Sequence, residues 1–371
     1  MADFIVTPWE VSGDVDYNEL ITKFGTQPVN KALLDRIGKH AGDLHMFLRR
    51  GLFFSHRDLN LWIKEYEKGE KVYLYTGRAP SGPVHIGHLV PWIFTKYLQD
   101  AFKAPLLFQI PDEEKFLFND KLTLEDTNKW AYENILDIIA CGFDPKITDI
   151  FLDTEYSKTM YTPALEVAKR VTFSTAKAVF GFENSNNLGE IWYTCMQSVP
   201  AYLPTIREGK PTKVLIPHAI DQDPHFRVTR DIAEKIGFPK PAAIHSKFLP
   251  GLGKDSKMSA SMPETCIFTT DDDKTIKKKV MNMLTGGRES LEEQKKLGGD
   301  PDNCTVYKYD YYLFEKDDKK LKETCEDCKA GKLMCGEHKQ RLYKGIVTFI
   351  EEHRKKREKA KDAVEQFMIR D

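Results

Sequence analysis

The sequence predicts an α/β fold: a doubly wound parallel sheet followed by an α-helical domain. Three observations carry this. Between about residues 71 and 270, β-rich runs alternate with helical runs, the pattern of a parallel sheet covered by helices. The first β-rich run enters a Gly/Pro turn that opens an apolar helix. From about residue 271 the chain turns helical and charged.

Each element has a local reason. Residues 1–70 read as an N-terminal extension with two helices, Asn30 to His40 and Ser55 to Lys68. Ser55 is the expected N-cap of the second, with Asp58 three residues on as a capping-box variant. The run Lys71–Thr76 is β-rich and ends at Gly77, and Pro105–Ile110 ends at Pro111-Asp112. Ile147–Leu152, Lys213–Ile216 and Ala243–Phe248 are three further strand candidates. A helix from Leu124 to Cys141 should be capped by Thr123, with Asp126 in its first turn, and ended by Gly142. In such sheets ligands bind at the carboxyl ends of strands, where the strand order reverses. In the last part, Leu342 to Met368 places Ile346, Phe349, Ile350, Val364 and Phe367 at helical spacing.

Composition sets outer bounds. A chain of 371 residues predicts two domains with a small extension. It contains no run of apolar residues long enough for a membrane span, and its acidic start resembles neither a secretory signal nor a transit peptide. With 55 basic and 56 acidic residues, net charge neither implies nor excludes a nucleic-acid partner. The basic stretches Lys274–Lys279 and His353–Lys361 read first as solvated helix faces. Seven cysteines, an odd number, fit reduced thiols in a cytoplasmic protein.

The densest signal is the stretch from Tyr73 to His88, which contains Thr76-Gly-Arg-Ala-Pro-Ser81 and His85-Ile-Gly-His88. The first amides of a helix are unpaired and carry the positive end of its dipole, so they attract phosphate. Histidines at i and i+3 lie on one side of the first turn, placed here in a helix starting near Leu89. Gly87 has no side chain, so a flat base can approach the backbone. Taken alone, the pair reads equally as surface histidines at a helix start. Far later, after Leu252-Gly253, comes Lys257-Met-Ser-Ala-Ser261 in a loop-like stretch. Alone, that pentapeptide reads as a surface loop.

Together, in this order, the two phrases resemble the signatures of class I aminoacyl-tRNA synthetases, the second in K-M-S-A-S form in place of K-M-S-K-S. Further phrases narrow the resemblance to the tyrosyl/tryptophanyl subgroup, and within it to tryptophanyl enzymes of the eukaryotic cytoplasmic type. They are Phe47–Asp58, Tyr73–Arg78, Asp137–Phe143 and Ala219-Ile-Asp-Gln-Asp-Pro224 with Phe226-Arg227. The resemblance runs from about Asp3 to Met368. It implies a Rossmann-like catalytic domain over residues 71–270 and a helical anticodon-binding domain over residues 271–371, with residues 1–70 packing on the former. ATP, L-tryptophan and tRNA(Trp) are the implied substrates, with Mg²⁺ travelling on the ATP phosphates. A homodimer and a cytoplasmic location are implied as well.

The same resemblance assigns residues. Tyr75 and Gln109 fall at the indole nitrogen, and Glu114, Gln197 and Gln222 around the substrate ammonium group. Arg78, His85, Gly87, His88, Lys257, Met258 and Ser259 fall on ATP, with His85, His88, Lys257 and Ser259 as the catalytic set. Lys115 is a weaker candidate for the role of Lys257. Arg288 and Glu289 would contact the anticodon, and Pro8-Trp-Glu-Val11 would fold against the ATP site. The chemistry is coherent: a buried indole N–H needs an acceptor or it costs about 1–3 kcal/mol, and a site built on that bond rejects analogues lacking it.

Cys325-x₂-Cys328-x₆-Cys335-x₂-His338 has ligand-like spacing for zinc. Cys304, Cys328 and Cys335 also resemble the spacing of an iron–sulfur site in some bacterial relatives, with His338 where the last cysteine would stand. The third reading, reduced structural cysteines with no protein-held metal, is the one adopted. Three competing functions were weighed: a tyrosyl enzyme, an inactive synthetase-like binding protein, and a nucleotidylyltransferase sharing an H-x-G-H element.

Overall fold

The computed structural model describes residues 5–6, 11–12, 15–253, 258, 260 and 262–371. Its framework is a sheet of seven described strands: β1 (Gln27–Pro28), β2 (Phe53–Arg57), β3 (Tyr73–Gly77), β4 (Leu106–Ile110), β5 (Thr148–Leu152), β6 (Val214–Ala219) and β7 (Ala242–Ser246). They lie in the order β1-β2-β7-β6-β3-β4-β5. The pairs β7–β6, β6–β3, β3–β4 and β4–β5 are parallel. Strand β2 is antiparallel to β7, and β1 to β2.

The chain builds outward from β3 in one direction to β4 and β5, then returns to lay β6 and β7 on the other side. That reversal opens a crevice between β3 and β6. Its width follows from the pairing. Strand β3 pairs with β4 from Leu74 through Gly77. It pairs with β6 at Tyr73 and Leu74, before the two carboxyl ends part.

The five central strands match the sequence expectations to within a few residues at each end. The helix Leu124–Ala140 is capped as expected: Thr123 Oγ1 accepts from Asp126 N at 3.1 Å, and Asp126 Oδ2 accepts from Thr123 N at 3.0 Å. Asn30 Oδ1 likewise accepts from Leu33 N at 3.0 Å, ahead of the helix Lys31–Ala41.

Three expectations need correction. Ser55 is no N-cap; it lies in β2, fully buried, 2.9 Å from His245 Nδ1. The helix starts at Leu59, after Asp58 turns the chain at φ 52°. Strand β2 is buried on both faces, so it lacks the alternation that marks a half-exposed strand. The second correction concerns the histidine helix. It begins at Ile86 rather than near Leu89, which makes His85 the N-cap and His88 the third helical residue. Third, the long C-terminal helix runs from Cys335 to Ala360, then gives way to a short turn at Val364–Gln366. Beyond it, Ile150 N donates to Phe367 O at 2.8 Å and Ile369 N to Ile150 O at 2.9 Å. The chain end thus covers the exposed edge of β5, and burial of Phe367 and Met368 there competes with continued helix.

A single apolar core joins Leu33 and Trp62, Phe94 of the histidine helix, Phe108 of β4, and Ile346 and Ile350 of the long C-terminal helix. The helical part is therefore packed into the sheet domain.

Candidate active site

A cavity of about 340 Å³ opens at the diverging ends of β3 and β6. Among the residues lining it are Tyr75, Gln109, Glu114, Gln197 and Gln222, together with Arg78, His85, Gly87, His88 and Met258. The sequence-predicted residues from five separate stretches thus meet in one space. A larger space of about 410 Å³ lies elsewhere against the same helix, among Met46, Phe47, Leu313 and Phe314. Apart from Arg49, Lys316 and His45 its walls are apolar, and none of the predicted site residues lines it.

Polar groups at the buried end are tied together. The Tyr75 hydroxyl donates to Gln109 Oε1 at 2.5 Å, and Gln109 Nε2 donates to Asp153 Oδ2 at 2.6 Å. Gln197 Nε2 donates to the Tyr75 oxygen at 3.2 Å. Burial, then the nearby Asp153 and Glu114 carboxyls, push the Tyr75 phenol well above its ordinary range, so it stays protonated. Both Tyr75 and the Gln109 oxygen keep acceptor capacity, which an incoming N–H requires.

Beside this end lies an anionic cage. Glu114 Oε2 is 3.0 Å from the Tyr193 hydroxyl, which also contacts Gln197 Oε1. Glu114 Oε1 accepts from Lys115 Nζ at 2.7 Å. Burial alone would raise the Glu114 carboxyl, but Lys115, His225 and the Tyr193 hydroxyl outweigh it and hold the group below its usual value. A charged carboxylate with amide oxygens nearby suits a primary ammonium group that enters without its water.

The phosphate-like side is built by the histidine turn. His85 N donates to His88 Nδ1 at 3.2 Å, and the two rings stack 3.5 Å apart. A methyl group at Gly87 would meet Met258 Sδ at 2.9 Å and the His85 ring at 3.0 Å. Glycine is needed there by this close approach, and the approach brings the two signature segments together. The chain beyond the second signature is stitched to the histidine turn by backbone: Ile86 N donates to Ile267 O at 3.0 Å and Thr269 N to Val84 O at 2.9 Å. Among the described residues, Arg78 Nε and Nη2 are out of solvent with no hydrogen-bond partner. Burial lowers the Arg78 guanidinium to about 10, with Glu114 opposing, so it remains a cation at neutral pH. A buried cation with spare donors is suited to an anion, phosphate or carboxylate.

Comparison with known proteins adds an independent line. The family described as class I tRNA synthetases (W and Y) matches residues 67–351. The chain belongs to the class I tRNA synthetases of the W and Y group. A protein of Pyrobaculum calidifontis named tryptophan–tRNA ligase is 50% identical over 367 residues, 99% of this chain and 98% of that protein. The solved tryptophanyl-tRNA synthetase of Giardia lamblia superposes with a TM-score of 0.89 at 39% identity, covering 95% of this chain and 96% of that one. That of Encephalitozoon cuniculi, bound to tryptophan, gives 0.88 at 37% identity, covering 97% and 99%.

Other predicted residues of this synthetase fall elsewhere. Lys257 and Ser259 lie outside the described residues, as do Pro8, Trp9 and Glu10. Arg288 and Glu289 are exposed and do not line the cavity. Arg288 Nε donates to Gly298 O at 2.9 Å. Cys304, Cys328, Cys335 and His338 surround a space of about 10 Å³. His338 Nε2 is engaged by Asp310 Oδ2 at 2.7 Å, and among the described residues no cluster of three or more His, Cys, Asp or Glu is arranged to hold a metal ion.

Sequence reasoning missed Asp153, Glu113 and Tyr193. Tyr193 is four residues before Gln197, one helical turn away on the same face, a signal available in the sequence. Asp153 directly follows β5 at the carboxyl edge of the sheet, where the switch-point rule places ligands.

Proposed function

We propose that this chain is a tryptophan–tRNA ligase. It activates L-tryptophan with ATP and passes the aminoacyl group to the 3′ end of tRNA(Trp). The observation that carries the reading is one cavity with two chemistries: acceptors at a buried, aromatic-walled end, and a carboxylate cage beside a histidine helix start. The names of its relatives, and the bound tryptophan of the Encephalitozoon protein, support the same assignment.

In this reading the indole N–H faces Tyr75 and Gln109, and the ammonium group faces Glu114, Gln197 and Gln222. The ionised tryptophan carboxylate attacks the α-phosphorus of ATP. A carboxylate–phosphorus bond forms, the bond to the pyrophosphate oxygen breaks, and pyrophosphate leaves with its electron pair. The nucleophile is already charged, so the step needs positioning and charge stabilisation rather than a general base. His85 and His88 donate to phosphate oxygens, and Arg78 holds a phosphate or the substrate carboxylate. The base approaches over Gly87 beside Met258. Lys257 and Ser259 act on the leaving group, and Mg²⁺ arrives bound to the ATP phosphates. The terminal ribose 2′-hydroxyl of the tRNA then attacks the adenylate carbonyl and AMP leaves.

Anticodon contact by Arg288 and Glu289, a homodimer and a cytoplasmic setting complete the reading. Exposed Tyr161, Leu165, Phe173 and Leu188 supply apolar surface for a partner subunit to cover. Among the described residues no helix is long and apolar enough to cross a membrane. The test is ATP–pyrophosphate exchange with each amino acid in turn. Exchange dependent on tryptophan is expected; dependence on tyrosine would replace this reading with the tyrosyl one.

A further inference from the structure

Behind the indole end of the cavity lies a buried polar relay that takes no part in the mechanism above. Gln109 is fully buried, and each end of its amide is committed. Its oxygen accepts from Tyr75 Oη at 2.5 Å and its nitrogen donates to Asp153 Oδ2 at 2.6 Å. Asp153 is itself buried, fixed at the carboxyl end of β5 by Asp153 N donating to Ile110 O at 3.1 Å. The Glu113 carboxyl lies close enough for the Asp153 charge to push it further up. Among the described residues, no amine, amide or hydroxyl side chain donates to either Glu113 oxygen or to Asp153 Oδ1.

Two neighbouring carboxyls away from water resist joint ionisation and retain a proton between them. Burial comes first among the causes, and it pushes both groups above their ordinary range. Asp153 Oδ2 meets the Gln109 Nε2 donor at 2.6 Å and so serves as an acceptor, with the shared proton on Glu113 or on Asp153 Oδ1. An acceptor at Asp153 allows one orientation of the Gln109 amide, nitrogen inward and oxygen toward Tyr75. The flipped amide would set two acceptors against each other at 2.6 Å.

The geometry points to Asp153, with the Glu113 carboxyl behind it, as a positioning residue that makes the inner end of the cavity acceptor-only and thereby selects side chains that bring an N–H. The inference rests on the reading of Tyr75 and Gln109 as the indole end. It assigns the choice between N–H and its absence to a carboxyl pair that never touches the substrate.

The experiment compares ATP–pyrophosphate exchange by the full chain on L-tryptophan and on its benzothiophene analogue, in which sulfur replaces the indole N–H. In Asp153→Asn either face of the new amide can meet Gln109, so the orientation is released. The tryptophan KM should rise on the order of tenfold, the analogue KM should change by less than about twofold, and kcat should change less than KM. Equal changes for both amino acids, or none, would overturn the inference. Gln109→Ala separates the two levels. If it leaves the tryptophan preference intact, the reading of the indole end fails and the inference with it. If it abolishes the preference while Asp153→Asn does not, the inference alone fails. Should Asp153→Asn not fold, Glu113 decides. Glu113→Gln supplies an N–H in place of the acid proton and retains the preference, whereas Glu113→Leu lowers it. The same preference in both Glu113 variants would overturn the proposal.

Discussion

Arg354 Nε donates to the backbone carbonyl of Thr269 at 2.9 Å. Thr269 in turn donates from its amide to Val84 O at 2.9 Å and from its hydroxyl to the same oxygen at 3.2 Å. The long C-terminal helix therefore reaches the histidine turn through one intervening residue. A second path runs from His353 Nε2, 2.9 Å from Asp137 Oδ1, along the helix Leu124–Ala140 to Asn134, whose Nδ2 donates to Gly82 O at 3.0 Å. Both paths end on the backbone that carries His85.

Loss of the first path should misplace the histidines without touching the amino-acid cavity. Arg354→Ala is expected to lower kcat of ATP–pyrophosphate exchange by about tenfold, since small misplacements of reacting groups are costly. Tryptophan affinity, read by equilibrium dialysis, should stay within about twofold of the parent. A drop in affinity as large as the drop in kcat would show that the contact serves general stability instead.

Lys257 tests the mechanism from the sequence side. Its replacement by Ala should cut the exchange rate about 100-fold or more, the scale of a lost charge-stabilising group in a transition state. Tryptophan binding should be nearly unaffected. Unchanged exchange would remove Lys257 from the mechanism.

Tyr75→Phe keeps the ring and removes the hydroxyl. Gln109 Oε1 then loses its 2.5 Å donor and Gln197 Nε2 its 3.2 Å acceptor. Tryptophan KM should rise about 5–10-fold, the equivalent of one to one and a half kcal/mol of hydrogen bonding. A KM equal to that of the parent would place the indole nitrogen elsewhere.

Acid sensitivity should have a traceable histidine component. Burial, and then the neighbouring His245, lower His56 from 6.5 to about 4. Between those values the unfolded chain binds a proton that the folded chain refuses. The stability contribution is therefore full above pH 6.5 and is lost as the pH falls toward 4, by up to ~3 kcal/mol. Urea unfolding at pH 7 and pH 4.5 should show this loss in the parent and a smaller one in His56→Gln. An equal pH dependence in both proteins would contradict the assignment.

The sequence carried the site further than it carried the edges of the fold. Tyr75, Gln109, Glu114, Gln197 and Gln222 come from distant stretches and line one cavity. They were legible through the family resemblance, whose phrases keep each of them at a fixed place in a short local stretch. Strand β2 was illegible for the opposite reason. A strand buried on both faces has no alternation, and Ser55 beside Asp58 imitates a helix cap. The helix start at Ile86 was displaced in the reading because His85 caps it through its backbone position, without the usual Ser, Thr, Asp or Asn.

By itself the amino-acid order determined the alternation of strand and helix and the two signature phrases, because these depend on residues close in sequence. Tertiary structure alone decided how β3 and β6 part, how Met258 lies over Gly87, how Arg354 reaches Thr269, and how Asp153 meets the Gln109 amide. Those relationships join residues far apart along the chain, and burial gives them their energetic weight. A carboxyl pair exposed to water is only two charges; packed beneath the sheet edge it must keep a proton, and that proton can orient an amide.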